Sequence, residues 1–155
     1  MLYLLDTNHC SHILRGHTTL LQKISTIDSD DLTSCVIVQG ELMFMVEKSS
    51  QKEHNRRQVR QLLERLTVLQ IDGETADIYG YLKALIVNHF GPKEKAKRRK
   101  VTIERLGFTE NDLWIAAIAK RHGLTIVSAD GDFERVKEVT DLVVENWLIG
   151  RNGTT

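Results

Sequence analysis

Short apolar runs alternate with longer amphipathic segments along this chain. Runs of this length, bounded by polar turn formers, predict buried strands. The five runs are Leu2–Leu5, Leu32–Ile37, Thr67–Ile71, Leu124–Ser128 and Leu142–Glu145. Between them the apolar residues recur at helical spacing, and strands that alternate with helices indicate right-handed crossovers. The pattern therefore predicts an α/β fold with a mostly parallel sheet covered by helices on both faces.

The predicted helices lie in each interval between the strands. They cover residues 8–15, the stripe within 17–27, a segment after Val38, a basic segment around Val59–Leu66, residues 72–89, residues 109–119 and a turn at 131–136. Lys48–His54 is predicted to be a polar break. Residues 90–107 are predicted to be irregular, because Gly91-Pro92 is followed by a run of charges.

Asp6 ends the first predicted strand and is followed by Thr7 and Asn8. In open α/β sheets, ligands bind outside the carboxyl ends of the strands, so we expect the Asp6 carboxylate to face a crevice. An Asp after a strand is also a common helix N-cap, and taken alone this is the stronger interpretation. The other acidic residues decide between the two.

Glu41 shares a helix face with Val38, Leu42 and Met45, so it is predicted to point toward the interior. An ionised carboxylate there must be paired with a base, protonated or bound to a cation. A structural ion pair is the alternative, but no basic residue is predicted to point inward nearby.

Asp112 lies three residues after Thr109, which fits a capping box at the start of a helix. Capping is therefore one interpretation of this acid. However, Asp112 directly precedes the apolar stripe that begins at Leu113, so it should face the sheet edge, and Asn111 beside it offers a second oxygen donor.

Asp130 and Asp132 follow the strand that ends at Ser128. The sequence Ala-Asp-Gly-Asp is ordinary turn chemistry, and a turn is compatible with a site. Carboxylates crowded at strand ends repel one another, and a divalent cation removes that conflict. Oxygen ligands suit Mg²⁺ or Mn²⁺, whereas no Cys/His spacing indicates zinc, so His9 and His12 are predicted to be surface or packing residues.

Composition limits the classes of function. The chain has 155 residues, typical of one domain, and its formal net charge is +0, so binding of nucleic acid would need a local basic patch. Such a patch is predicted at Lys93, Lys95, Lys97, Arg98, Arg99 and Lys100. The alternative is a solvated charge run. The two cysteines predict no disulfide framework, and with no membrane-length apolar run they favour the cytoplasm.

Four segments together resemble the PIN domain, and most closely the VapC toxins of bacterial type II toxin–antitoxin pairs. They are Leu-Leu-Asp6-Thr-Asn, Glu41-Leu42, Asn111-Asp112-Leu-Trp-Ile-Ala-Ala and Val-Ser128-Ala-Asp130-Gly-Asp132-Phe. The first and third are specific in this order and separation. The resemblance implies an α/β/α sandwich with a five-stranded sheet over residues 1–148, a basic insertion at about 90–108, and a C-terminal tail at 149–155.

The resemblance also implies a Mg²⁺- or Mn²⁺-dependent endoribonuclease. Asp6, Glu41 and Asp112 match the three core acids of the family, and Asp130 matches a more variable fourth. Asp6 and Asp112 would be direct metal ligands, while Glu41 would complete the pocket or orient water. The supporting residues implied are Asn111, Ser128 and Asp132.

Members of this family usually dimerise and are silenced by a small VapB-type antitoxin, through which any contact with DNA is made. Transfer RNA is a common target in the family and therefore a candidate substrate. The basic insertion is longer than usual, which implies a different choice of substrate. Val38 stands where many relatives carry Ser or Thr, which removes one minor polar contact.

Other functional classes share this fold or the first acid. A non-catalytic PIN module, or a housekeeping PIN nuclease without an antitoxin, would have the same fold. A phosphotransferase of the haloacid dehalogenase type needs a second Asp two residues after the first, and Asn8 occupies that position.

Overall fold

Five short parallel strands form the centre of the protein, which a computed structural model describes over residues 1–149. Their bounds are β1 Tyr3–Leu5, β2 Leu32–Cys35, β3 Thr67–Leu69, β4 Thr125–Val127 and β5 Val143–Glu145. The order across the sheet is β3-β2-β1-β4-β5, and every neighbouring pair is parallel. The predicted five-stranded α/β architecture is therefore confirmed.

Helices fill each connection between the strands. Those within residues 1–149 are α1 Thr7–Leu14, α2 Thr18–Ile24, α3 Val36–Lys48, α4 Lys52–Leu63, α5 Gly73–Phe90, α6 Lys95–Arg98, α7 Glu110–His122 and α8 Gly131–Val136. In the same range, none of these helices has the length and apolar character needed to cross a membrane. Of the predicted C-terminal tail 149–155, residues 150–155 lie outside the described residues.

The predicted second and third strands each extend two residues too far, since β2 ends at Cys35 and β3 at Leu69. Val36 and Ile37 were assigned to the second strand, but α3 begins at Val36. The pairing partners explain this, because β2 pairs with β1 only at Leu32 and Thr33 and with β3 only as far as Cys35. Apolar β-branched residues beyond that point have no ladder to join, so they enter a helix instead.

The polar break and the irregular segment are also more ordered than predicted. α4 begins at Lys52, inside the predicted break 48–54. The segment 90–107 contains α6 and a 3-10 turn at Glu104–Leu106.

The sheet has its topological switch point at β1. β2 and β3 lie on one side of β1, while β4 and β5 lie on the other. The chain leaves β1 at Asp6, whose backbone N–H donates to the carbonyl of Val127 at 3.1 Å. A crevice at the carboxyl end of the sheet is expected at such a point, and Asp6 and Ser128 both stand there.

α7 packs into the core directly beneath that crevice. Its residues Leu113 and Ala116–Ala119 are buried, so small side chains allow a close approach to the sheet. Gly123 ends the helix in the left-handed conformation, with φ 63°, and turns the chain into β4. On the outer side, the ring of Trp114 stacks on Tyr79 of α5, with the two centroids 3.8 Å apart.

Arg135 of α8 anchors the end of the basic insertion. Its guanidinium donates to the carbonyls of Leu106, at 2.7 Å, and Gly107, at 3.3 Å. The same group lies over the rings of Phe108 and Phe90, with its Cζ 4.0 and 4.9 Å from the two centroids. Arg135 thus brings the two ends of the insertion together and joins them to α8.

Replacing Arg135 with Lys is expected to lower the free energy of unfolding by about 1.5–3 kcal/mol, because an ammonium cannot donate to both carbonyls while lying flat on both rings. Urea denaturation measures the difference. Lys137→Gln is the matched control, since Lys137 follows the end of α8 and forms an exposed ion pair with Glu134. An Arg135→Lys cost no larger than that of Lys137→Gln would contradict the anchoring role.

Candidate active site

The Asp6 carboxylate is buried, with 5% of the residue exposed, at the carboxyl end of β1. Its Oδ1 accepts the backbone N–H of His9 at 2.7 Å and the Nδ1–H of the same residue at 2.9 Å. Its Oδ2 accepts the hydroxyl of Ser128. Asp6 is therefore the N-cap of α1 and also faces the crevice, so the two interpretations of this residue are both correct.

His9 is a residue whose role the sequence did not reveal. Its side chain is fully buried, and its Nε2 accepts the backbone N–H of Trp147 at 3.3 Å. Because Nε2 is an acceptor, the ring proton must be on Nδ1, where it points at Asp6. Spacing could have suggested the contact with Asp6, since the two are three residues apart at a helix start. The contact with Trp147 has no signal in the sequence.

Glu41 is half-buried and lies at the crevice instead of pointing into the core. The hydroxyl of Thr7 donates to its Oε2, and the side-chain amide of Asn111 donates to its Oε1 at 2.7 Å. Within residues 1–149, its hydrogen-bond partners are these two neutral groups, and it forms no ion pair with a basic residue.

The inward face of α3 differs from the predicted one by a small rotation. Val38 and Leu42 are buried as expected, but the third buried position is Val46. Met45, which was predicted to point inward, is 41% exposed and lines the crevice beside Glu41. The helix turns by 100° per residue, so a small error in the predicted direction of the face moves a residue from the core to the crevice. Met45 lies on the crevice side of that edge.

Asp112 stands in the first turn of α7, and Thr109 is the N-cap as predicted. The Thr109 hydroxyl accepts the N–H of Asp112 at 3.1 Å and donates to its Oδ2 at 2.6 Å. Loss of solvent around Asp112, followed by repulsion from Asp130, Asp132 and Glu41, raises its pKa to about 6, against the opposing effect of the Thr109 hydrogen bond. Burial and the neighbouring acids therefore both disfavour the ionised form of Asp112.

Asp130 and Asp132 complete the acidic group. One carboxylate oxygen from each of Asp112, Asp130 and Asp132 lies within 4.8 Å of the others. Asp130 caps α8 by accepting the N–H of Asp132 at 2.9 Å, and the Ser128 hydroxyl accepts the N–H of Asp130 at 3.0 Å. Asp132 also receives Arg135 at 3.3 Å, which offsets part of its charge.

The predicted acids surround one cleft of about 580 Å³. Its lining includes the acids Asp6, Glu41, Asp112 and Asp130, together with Thr7, Asn8, Ser11, Arg15, Phe44, Met45, Thr109, Ile115 and Ala129. Of the residues predicted to support the acids, Asn111 contacts Glu41, Ser128 contacts Asp6, and Asp132 joins the close group of three. The predicted basic residues of 93–100 do not line this part of the described chain; they are exposed, apart from the half-buried Arg98.

The donor set fits a hard divalent cation. Three carboxylates within 4.8 Å repel one another, and burial together with this repulsion raises the pKa of Asp112. A cation bound to Asp112 and Asp130 would remove that repulsion, and all-oxygen ligands suit Mg²⁺ or Mn²⁺. Asp6 lines the same cleft, outside this close group of three.

Comparison with known proteins gives the family. The PIN domain family matches residues 3–139. Ribonuclease VapC2 of Haemophilus influenzae is 32% identical over 149 residues, which cover 94% of this chain and 98% of that protein. Ribonuclease VapC2 of Rickettsia felis is 29% identical over 154 residues, or 95% of this chain and 98% of that protein.

Solved structures agree with this match. The chain resembles the VapBC2 complex of Rickettsia felis bound to a DNA fragment from its promoter, with a TM-score of 0.74, 25% identity, and coverage of 95% of this chain and 99% of that one. DNA-bound VapBC of Salmonella typhimurium gives a TM-score of 0.75 with the same identity and coverage. The chain therefore belongs to the PIN domain family and, within it, to the VapC proteins.

Proposed function

We propose that this protein is a divalent-metal-dependent endoribonuclease that acts as the toxin of a VapBC-type pair. The observation that carries the proposal is the meeting of Asp6, Glu41, Asp112 and Asp130 in one cleft of a VapC-family chain. Relatives named ribonuclease match almost the full chain. RNA is therefore the proposed substrate, with transfer RNA as the candidate class.

Each acid has a defined part in this proposal. Asp6 and Asp112 would hold the cation, and Asp130 would add a third carboxylate, with Asp132 beside it. A bound Mg²⁺ or Mn²⁺ supplies the positive charge that lowers the pKa of water and stabilises the leaving oxygen in phosphodiester hydrolysis. Glu41, which is fixed by Thr7 and Asn111, completes the pocket and orients the attacking water.

Two features outside the acids suit an RNA strand. Arg15 is the basic side chain among the described residues of the cleft lining, and it is exposed, so it can approach a phosphate. Phe44 of the same lining is 64% exposed and offers a face on which a base can stack. The insertion adds exposed positive charge, and its base is joined to α8 beside Asp132.

The proposed partners follow from the relatives. The two similar VapBC structures are complexes with DNA, so we propose a small VapB-type antitoxin as partner and DNA contact only through it. The exposed apolar side chains of Phe44 and Met45 lie at the cleft, where an antitoxin would cover them. A homodimer acting in the cytoplasm completes the proposal.

Asp6→Asn is expected to lower RNA cleavage by at least about 100-fold while leaving the fold intact. Asn keeps an oxygen to accept the His9 N–H and remains a good N-cap, but it loses the charge that binds the cation. The measurement is cleavage of total bacterial RNA by the purified protein with Mg²⁺ or Mn²⁺ and with excess chelator.

The control for that experiment is Asp77→Asn, which removes an exposed acid of α5 outside the cleft. Cleavage that survives in Asp6→Asn and still requires metal would contradict the site. No cleavage by wild-type protein shown to be free of antitoxin, under any metal, would favour a non-catalytic module that binds RNA.

Asp112→Asn is expected to stabilise the metal-free protein above about pH 6. A raised pKa means that the folded state binds the proton more tightly than the unfolded state, so stability from this group is lost as pH rises through about 6. After allowance for solvent screening, we expect the variant to gain about 1–2 kcal/mol at about pH 7.5, or roughly 2–8 °C in Tm, and little at about pH 4.

Thermal melts in chelator and in excess Mn²⁺ measure this difference. Mn²⁺ should stabilise the wild type strongly and Asp112→Asn weakly, while Asp77→Asn should follow the wild type throughout. If Asp112→Asn in chelator were no more stable than the wild type at about pH 7.5, the crowding of these acids would not limit stability.

Neutralising the insertion is expected to weaken RNA binding and reduce its salt dependence. In an Asp6→Asn background, Lys95→Gln with Lys100→Gln should lower the slope of log affinity against log salt by up to about 1.4, since about 0.7 is lost for each contact to single-stranded phosphate. The control pair, Lys120→Gln with Arg121→Gln, removes the same charge at the opposite end of α7. Equal slopes for both pairs would mean that the insertion is only a solvated charge run.

A further inference from the structure

We propose that His9 is a positioning residue, which holds Asp6 so that one carboxylate oxygen keeps a lone pair available for the cation. This inference rests on the proposed function, in which Asp6 is a metal ligand. It concerns a side chain that lies outside the cleft lining and has no place in the mechanism described above.

The hydrogen bonds of Asp6 are unequally divided between its two oxygens. Oδ1 accepts two N–H groups, both from His9, at 2.7 and 2.9 Å. Oδ2 accepts only the Ser128 hydroxyl. Since each carboxylate oxygen has two lone pairs, Oδ1 is saturated and Oδ2 keeps one free for a cation.

The imidazole can donate to Asp6 in this way because its other nitrogen is occupied. The backbone N–H of Trp147 donates to Nε2 at 3.3 Å, which excludes the tautomer that carries its proton on Nε2. This donor belongs to the main chain two residues after the end of β5 at Glu145, and the indole ring takes no part in it. The main chain that leaves β5 thus sets the orientation of a ligand at the end of β1.

Because these groups are buried, water cannot take the place of a lost hydrogen-bond donor. The His9 residue is 0% exposed, and Asp6 is 5% exposed. A carboxylate that loses a donor there has no solvent to take its place and can rotate away from the productive orientation. Groups that orient a metal ligand typically contribute about 10–100-fold to metal affinity, and we expect His9 to lie in that range.

Three substitutions at position 9 separate the proposed role from simple packing. His9→Asn keeps an amide N–H near the position of Nδ1 and loses the acceptor for Trp147. His9→Gln keeps a polar group near the position of Nε2 and loses the donor to Asp6. His9→Leu loses both, and Trp147→Phe is the control, because the hydrogen bond comes from its backbone N–H, which Phe retains.

Isothermal titration of Mn²⁺ into the full-length protein, at a fixed pH, measures the cation affinity directly and does not depend on RNA cleavage. We expect His9→Gln and His9→Leu to bind Mn²⁺ about 10–100-fold more weakly than the wild type. His9→Asn should remain within about threefold of the wild type, and Trp147→Phe should be unchanged. Circular dichroism identifies any variant that fails to fold, and the Asn–Gln comparison stands without the Leu variant.

The ring itself gives a second measurement. The ¹⁵N shifts of a neutral histidine distinguish a protonated Nδ1 from a protonated Nε2, so the wild-type His9 signal should show the proton on Nδ1. A signal with the proton on Nε2 would overturn the inference. So would equal Mn²⁺ affinity in His9→Asn and His9→Gln, or a loss in Trp147→Phe as large as that in His9→Gln.

Failure of this inference can be told apart from failure of the proposed function. If the wild type binds no Mn²⁺, or Asp6→Asn binds it equally well, Asp6 is not a ligand and both ideas fail. If Asp6→Asn loses binding while the His9 variants keep it, the metal site stands and only the positioning role of His9 is rejected.

Discussion

The buried carboxylate of Asp6 is the constraint on which the rest of the site depends. A charge at 5% exposure must be surrounded by donors, and here these donors come from different parts of the chain. His9 supplies two from the start of α1, and Ser128 supplies one from the end of β4. Satisfying this one group therefore fixes α1 and the β4–α8 connection relative to β1, at the switch point of the sheet.

The remaining acids are arranged so that each also contributes to local structure. Asp130 caps α8, and Asp112 exchanges hydrogen bonds with Thr109 at the start of α7. Glu41 bridges α1 and α7 through Thr7 and Asn111. Three helices thus begin or meet at the cleft, and their positive N-terminal ends partly offset the repulsion between the acids.

The alternation of strands and helices could be predicted from the sequence because the strands are short apolar runs, whereas apolar residues recur at helical spacing between them. The same local patterns located the four acids that line the cleft, since each follows a strand or lies in a recognisable turn of a helix. Boundaries that depend on pairing partners could not be predicted: Val36 and Ile37 have strand-like side chains but no ladder to join. The face of α3 was also misplaced, because Met45 and Val46 differ by one position and lie on either side of the core edge.

Two long-range contacts that support the site left no local signal. Arg135 reaches carbonyls about 30 residues earlier in the chain, at Leu106 and Gly107, and His9 accepts a backbone N–H from Trp147, 138 residues away. Contacts of this kind depend on the completed fold, and neither side chain belongs to a motif. The sequence motifs identify the acids, but only the structure reveals the distant residues that support them.

The acids of the cleft carry more negative charge than helix capping requires. Asn and Ser cap helices about as well as Asp, and neither brings a charge, so a protein built only for stability would have no need to place carboxylates this close together. Burial, with added repulsion from Asp130, Asp132 and Glu41, raises the pKa of Asp112, so the ionised form of this acid opposes folding. Capping explains why a small polar residue stands at position 130, but it does not explain the negative charge. The positive N-terminal ends of α7 and α8 favour part of this charge, and a cation bound among these oxygens would account for the rest.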